Sequence, residues 1–305
     1  MDRTSLTIDR HTPTLPESVW EGLPPAEEQT WATIKNRIIL PGSHIDAVVK
    51  SSRQPPKKTY QRHITQEYLN SAREALTTGP IGKPLRELLE RGITPDEVAR
   101  YQMQGTAELA DRLGPEVAAA LSLRLPPNLP KPHEIEGVSI PHFSGDLLLG
   151  FCTWVRNNPQ VKYAFSAPHR FAFGHDPSQP EVWVVEGVFD AIALARTGRN
   201  VLAMGDSQPN YFKMLVASRY PKINLLFDDD LSGSLGCIKA HILLTTMLGR
   251  ADADIAVWGT TGGLDPERSV VLGRTDFLRL TYREALERLD HWVAYRETNN
   301  ESIRA

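Results

Sequence analysis

The chain has 305 residues, enough for one large domain or two modest ones whose interior needs no covalent staples. A hydrophobic share of 41% and a charged share of 23% are ordinary for a soluble protein, and a net charge of −3 leaves any nucleic-acid role to local basic patches. Two cysteines far apart, Cys152 and Cys237, exclude a Cys-rich zinc ribbon and a disulfide framework and suit a reducing cytoplasm, while no apolar run reaches membrane-spanning length. The first residues also lack the apolar core of a signal peptide.

Residues 1–64 read as an irregular extension punctuated by prolines. Between Asp46 and Glu67 there is no acid, while Lys50, Arg53, Lys57, Lys58 and Arg62 accumulate. This stretch is either a solvated linker or a phosphate-contacting arm. From residue 65 a helical period sets in, with Tyr68, Leu69, Ala72 and Leu76 on one face. A second helical piece stops at Gly92. A third opens with Thr94 as N-cap, Pro95 at its first position and Glu97 completing a capping box. A fourth runs roughly from Ala107 to Leu123.

From Gly137 the period becomes that of strands. "VSIPHF" and "LLLGFCTWV", joined at Ser144-Gly145-Asp146, form a hairpin pattern. After Pro180 strands and helices alternate: "VWVVEG", "FDAIALARTG", "NVLAMG", "YFKMLVASRY", "INLLFDDD", "SLGCIKAHILLTTMLG" and "DIAVWG". Such alternation predicts a parallel sheet covered on both faces, in a region spanning 179–274. Residues 65–178 form a mixed α+β subdomain before it, and residues 275–305 a C-terminal helical tail.

In an open parallel sheet, functional groups gather at the carboxyl ends of the strands. Glu186 stands at one such end, and Asp228, Asp229 and Asp230 follow another. Residues two apart point the same way, so Asp228 and Asp230 share a direction that Asp229 does not. If the two strands are neighbours, Glu186, Asp228 and Asp230 converge, and a hard divalent cation resolves their repulsion. Taken singly, each acid is equally a helix cap or turn former, and Asp190 in the following first turn is explained by the helix dipole as well. Asp252 and Asp254 precede their strand and read as a solvated turn.

"VVEGVFDAIALARTGRNVLAMG" with "LLFDDDLSG" resembles the Toprim domain shared by bacterial-type DNA primases, topoisomerases and some nucleases. Its signature is a Glu-Gly after one strand and an Asp-x-Asp after another. Within that group the chain is most similar to the catalytic core of bacterial and phage primases. "LRELLERGITPDEVARYQMQG" resembles the helical lead-in of that core, "VKYAFSAP" a stretch preceding its Toprim domain, and "GGLDPERSV" a later acidic segment. The similarity runs in order from about Thr65 to Val270.

The resemblance implies a Toprim-type parallel sheet and an enzyme that synthesises short RNA primers on single-stranded DNA from ribonucleoside triphosphates. It implies Mg²⁺ or Mn²⁺ held by Glu186, Asp228 and Asp230, with Asp190, Asp265 and Glu267 as auxiliary acids. Lys162 is implied as a nucleotide or template contact, to which Arg156 and Arg170 are added as candidates, together with Lys57, Lys58 and Arg62 of the basic stretch. For each base a solvated surface charge is the alternative. The auxiliary segment departs from the pattern in carrying Glu267 rather than Asp, and Leu264 where the family has lysine. No zinc ribbon and no G-x-x-x-x-G-K-[ST] motif is present, so a replicative helicase is expected as a separate partner in a bacterial cytoplasm. The rival readings are a Toprim nuclease, using the same acids on water, and a non-catalytic replication or regulatory module.

Overall fold

Two sheets stacked through a shared core organise the protein, as seen in a computed structural model that describes residues 66–78, 86–121, 136–144, 147–156, 163–165, 173–205, 209, 211–260 and 264–302. Helix α1 (Gln66–Thr78) follows the expected period. α2 (Arg86–Glu90) leads into α3 (Pro95–Arg100), where Thr94 and Glu97 form the capping box predicted from the sequence. A two-residue strand β1 (Gln104–Gly105) precedes α4 (Thr106–Ala120). α4 kinks at Gly114-Pro115, because proline has no N–H to continue the helical ladder.

β2 (Gly137–Ser144) and β3 (Leu147–Val155) pair antiparallel as the hairpin pattern predicts, and β4 (Tyr163–Phe165) joins β3. The order of this antiparallel sheet is β1-β2-β3-β4. One face packs Leu148 and Phe151 against Ala72 and Leu76 of α1 and Leu109 of α4. The opposite face turns Val138, Ile140 and Cys152 toward the second sheet.

That second sheet contains β5 (Glu181–Val185), β6 (Val201–Ala203), β7 (Lys222–Leu226), β8 (Ile255–Gly259) and β9 (Leu278–Leu280), in the order β6-β5-β7-β8-β9. The first four run parallel and β9 is antiparallel to β8. α5 (Val188–Ala195) covers one face, where Phe189 and Ile192 share a core with Trp183, Val185 and Ile140. α6 (Tyr211–Ala217), α7 (Leu231–Ile242) and α9 (Tyr282–Ser302) cover the other face, packing Met214, Ala240 and Ala285 on Val184, Leu225 and Val257. Between β8 and β9 lies the short α8 (Pro266–Val271), which packs on α5.

Two departures from the sequence reading are structural. The helix expected to reach Gly249 passes into a π-helical turn at Leu243–Met247. The expected helical tail from residue 275 begins instead with edge strand β9, so the end of the chain completes the sheet and covers its face. Asp252–Asp254 form a 3-10 turn before β8, with Asp254 paired to Arg250, consistent with a solvated turn. No helix among the described residues is long and apolar enough to cross a membrane.

Candidate active site

β5 and β7 are adjacent, although β6 lies between them in sequence. The chain leaves β5 toward one edge and returns to build β7 on its other side, which makes the carboxyl ends of β5 and β7 the topological switch point. In open α/β sheets ligands bind at such a crevice. Glu186 immediately follows β5, and Asp228 follows β7 by two residues.

Local backbone geometry ties these acids together. The Asp228 N–H donates to Glu186 Oε1 at 3.0 Å. Asp230 caps α7, its Oδ1 accepting from the Gly233 N–H at 2.7 Å. Gly233 is required by close approach: a Cβ there would lie 2.3 Å from the Asp228 carbonyl oxygen and 2.5 Å from Glu186 Oε1. Burial first, and then the charge of Asp228, push the Glu186 carboxyl up to about 9, against the opposing pull of the Asp228 N–H.

A second group of acids lies alongside. Oxygens of Asp190, Asp265 and Glu267 lie within 4.8 Å of one another. Asp190 is buried, accepting from the Gly187 N–H at 3.0 Å and the Glu267 N–H at 3.1 Å. Burial, then the charges of Asp228 and Glu267, raise its proton affinity well above that of an ordinary carboxylate. The influence of Asp228 on Asp190, and of Asp190 on Glu186, joins the two groups into one electrostatic unit. Asp265 caps α8 through the Arg268 N–H at 2.7 Å. Glu267 is buried against Arg91, whose Nε donates to Oε1 at 2.9 Å and whose terminal nitrogen donates to Oε2.

Asp229 lies in a bend beyond β7 and engages α9. Its Oδ1 accepts from Trp292 Nε1 at 3.2 Å and pairs with Arg288 Nε at 3.4 Å, both on α9. Arg288 also donates to the Thr260 carbonyl at 2.9 Å, bridging the loops that follow β7 and β8. Among the expected bases, Arg156 is exposed just beyond β3, its backbone N–H bonded to the Glu136 carbonyl at 2.8 Å. Lys162, Arg170, Lys57, Lys58 and Arg62 lie outside the described residues. The sequence reading passed over Arg91 and Arg288. Their partners lie 176 and 59 positions away (267 − 91 and 288 − 229), so no local pattern marks them.

The donor set is all carboxylate, from the buried Asp190 and Glu267 to the exposed Asp230, and burial first, then neighbouring negative charge, makes Glu186 and Asp190 hold protons more tightly than usual. That chemistry fits a hard divalent cation with oxygen ligands. Among the described residues it is Asp190, Asp265 and Glu267 whose oxygens gather within 4.8 Å, while Glu186 meets the Asp228-to-Asp230 segment through the Asp228 backbone N–H.

No protein-family model and no curated protein sequence matches the chain. Solved structures do. It is similar to a DNA primase domain from Pseudomonas aeruginosa at 21% identity and a TM-score of 0.52, covering 70% of this chain and 75% of that one. It is also similar to the Aquifex aeolicus primase (zinc-binding and RNA polymerase domains) at 19% identity and a TM-score of 0.50, covering 82% of this chain and 66% of that one. A third is a DnaG primase catalytic domain bound to single-stranded DNA, at 18% identity, a TM-score of 0.52, and coverage of 74% and 78%. At these identities the likeness is one of architecture, and the chain has the fold of a DnaG primase catalytic core.

Proposed function

We propose that the chain is a primase catalytic protein that joins ribonucleoside triphosphates into short RNA primers on single-stranded DNA. The observation that carries this reading is the meeting of Glu186 with the Asp228-to-Asp230 segment at the sheet's switch point, on a primase-core fold. Glu186, Asp228 and Asp230 hold Mg²⁺ or Mn²⁺ in this reading, with Asp190, Asp265 and Glu267 beside them. When bound, the cation lowers the pKa of the attacking 3′-hydroxyl and neutralises the triphosphate from which pyrophosphate leaves.

The chain's own contribution is positional. Gly233 lets α7 approach the Glu186–Asp228 pair, and Asp230 is fixed by capping that same helix. Asp229, held by Arg288 and Trp292, anchors the segment from behind. Lys162, Arg156 and Arg170 are assigned to nucleotide phosphates or template backbone. Lys57, Lys58 and Arg62 are assigned to the template, and unwinding falls to a separate helicase.

The test is incubation of purified protein with single-stranded DNA, Mg²⁺ and labelled ribonucleotides. Wild-type protein should make primers, and Asp230→Asn should lose them by roughly 10²-fold or more, since a displaced catalytic group costs that much. Asp229→Asn should cost roughly 1.5–3 kcal/mol of stability, because its largely buried carboxylate bonds both Arg288 and Trp292, and spare most of the synthesis. Nicked or degraded DNA would instead support a nuclease, and inertness a non-catalytic module. Equal loss in both variants would refute the assignment of roles within the acidic segment.

A further inference from the structure

We infer that Arg288 of α9 is a positioning residue, a single guanidinium that links the segment bearing Asp228 and Asp230 to the segment bearing Asp265 and Glu267. The spacing of the two acid groups is then set by the C-terminal helix and not by the sheet alone. This rests on the reading of those acids as the site of nucleotide transfer.

Each nitrogen of the Arg288 guanidinium faces a different part of the structure. Nε pairs with Asp229 Oδ1 at 3.4 Å, beyond the end of β7, and one terminal nitrogen donates to the Thr260 carbonyl at 2.9 Å, beyond the end of β8. The other terminal nitrogen lies over Gly259, where a Cβ would come within 2.2 Å of it, so the missing side chain makes room for the fork. Thr260 passes the link on. Its hydroxyl donates to the carbonyl of Leu264, next to Asp265, whose carboxylate caps α8 through the Arg268 N–H at 2.7 Å. On the other side Asp229 sits between Asp228, whose N–H holds Glu186, and Asp230, which caps α7.

The link is stiff. Side-chain exposure is 10% for Asp229 and 24% for Arg288, so salt and water screen the pair poorly. A planar guanidinium holds two acceptors at once in fixed geometry, which a lysine ammonium on its flexible stem does not. Trp292 also bonds Asp229 Oδ1, at 3.2 Å, but among the described hydrogen bonds its indole reaches only that one segment, so it anchors where Arg288 connects. Arg288 further borders a cavity shared with Asp228, Gly233 and Ser234, and truncating it opens space into which both segments shift. Asparagine at position 229 still offers an oxygen in the same place, which is why Asp229→Asn spares synthesis and loss of Arg288 does not.

Amide hydrogen exchange of the full chain, without nucleotide or DNA, reads the link directly, because backbone N–H groups on both sides bond the acids. These are the amides of Asp228 and Gly233 in one segment and of Glu267 and Arg268 in the other. In Arg288→Ala all of them should exchange roughly tenfold faster, in step. Trp292→Phe should speed only the first two. Arg283→Ala, an exposed residue paired with Glu287 on its own helix, should speed none. Should Arg288→Ala not fold, Arg288→Lys, which keeps the charge without the fork, should speed the same amides by a smaller factor. In the primer assay, well below the melting temperature of each variant, kcat of Arg288→Ala should fall about tenfold or more. KM for ribonucleotides should stay within about twofold, since a positioning residue meets no substrate. Faster exchange confined to α9 or to one segment, or a loss expressed in KM alone, would overturn the inference. Wild-type protein that makes no primers yet shows this exchange pattern would overturn the nucleotide-transfer reading and leave the link standing.

Discussion

Substituting Gly233 by alanine sets two local effects against each other. Gly233 is the third residue of α7, where alanine ordinarily favours a helix over glycine by about 1 kcal/mol. The added Cβ, however, would fall 2.3 Å from the Asp228 carbonyl oxygen, 2.5 Å from Glu186 Oε1 and 2.8 Å from the Asp228 nitrogen. Two of those atoms are backbone, so a rotamer change cannot relieve the crowding and the first turn of α7 must move. Overpacking of this kind costs about 1–3 kcal/mol, and moving the turn weakens the Asp230 cap, itself worth about 1 kcal/mol. Weakening the Asp228 N–H bond to Glu186 adds about 1 kcal/mol more. The net expectation is a loss of about 2 kcal/mol or more, a fall in Tm of roughly 4 °C or more for a chain of this size. Primer synthesis should fall further, by roughly 10²-fold, because Asp230 moves with the helix it caps. Thermal melts and the primer assay read both. A Gly233→Ala protein that melts at or above the parent temperature and primes normally would show that close packing of α7 is not what arranges these acids.

Titration gives a second expectation. With Glu186 raised to about 9 and Asp190 raised in the same direction, the native state binds protons that the unfolded chain has released, so stability without cation falls as pH rises through that window. From about pH 5.5 to about pH 8 the loss through Glu186 is at most roughly 3 kcal/mol, and melts in EDTA should show it while millimolar Mg²⁺ flattens it. A Tm that is flat with pH in EDTA would contradict the burial of these carboxyls beside other acids. The basic stretch from Lys50 to Arg62 yields the third: a chain shortened to begin at Ile64 should bind single-stranded DNA more weakly. Its salt slope should be shallower by about 2–3.5, from ~3–5 phosphates at about 0.7 each. Unchanged binding at every salt concentration would reduce the stretch to a linker.

What could be read from the sequence was local. The Thr94–Glu97 capping box, the hairpin through Ser144 and the alternating strands and helices after Pro180 all follow from turn chemistry and periodicity within a few residues. Asp229 does point away toward α9, but it lies in a bend beyond the end of β7, so its contacts with Trp292 and Arg288 rather than strand pleating fix that direction. The order of the strands is not local. Nothing between residues 181 and 226 states that β7 lies beside β5 rather than β6, and that adjacency is what brings Glu186 to Asp228. β1 and β9 were illegible for the same reason: strands of two and three residues have no period and exist only because a partner strand supplies their hydrogen bonds. The two arginines went unread because a long charged side chain looks alike in sequence whether it faces water or a carboxylate. Packing against Phe189 and Trp154 decides the matter for Arg91, and closure of α9 over the ends of β7 and β8 decides it for Arg288.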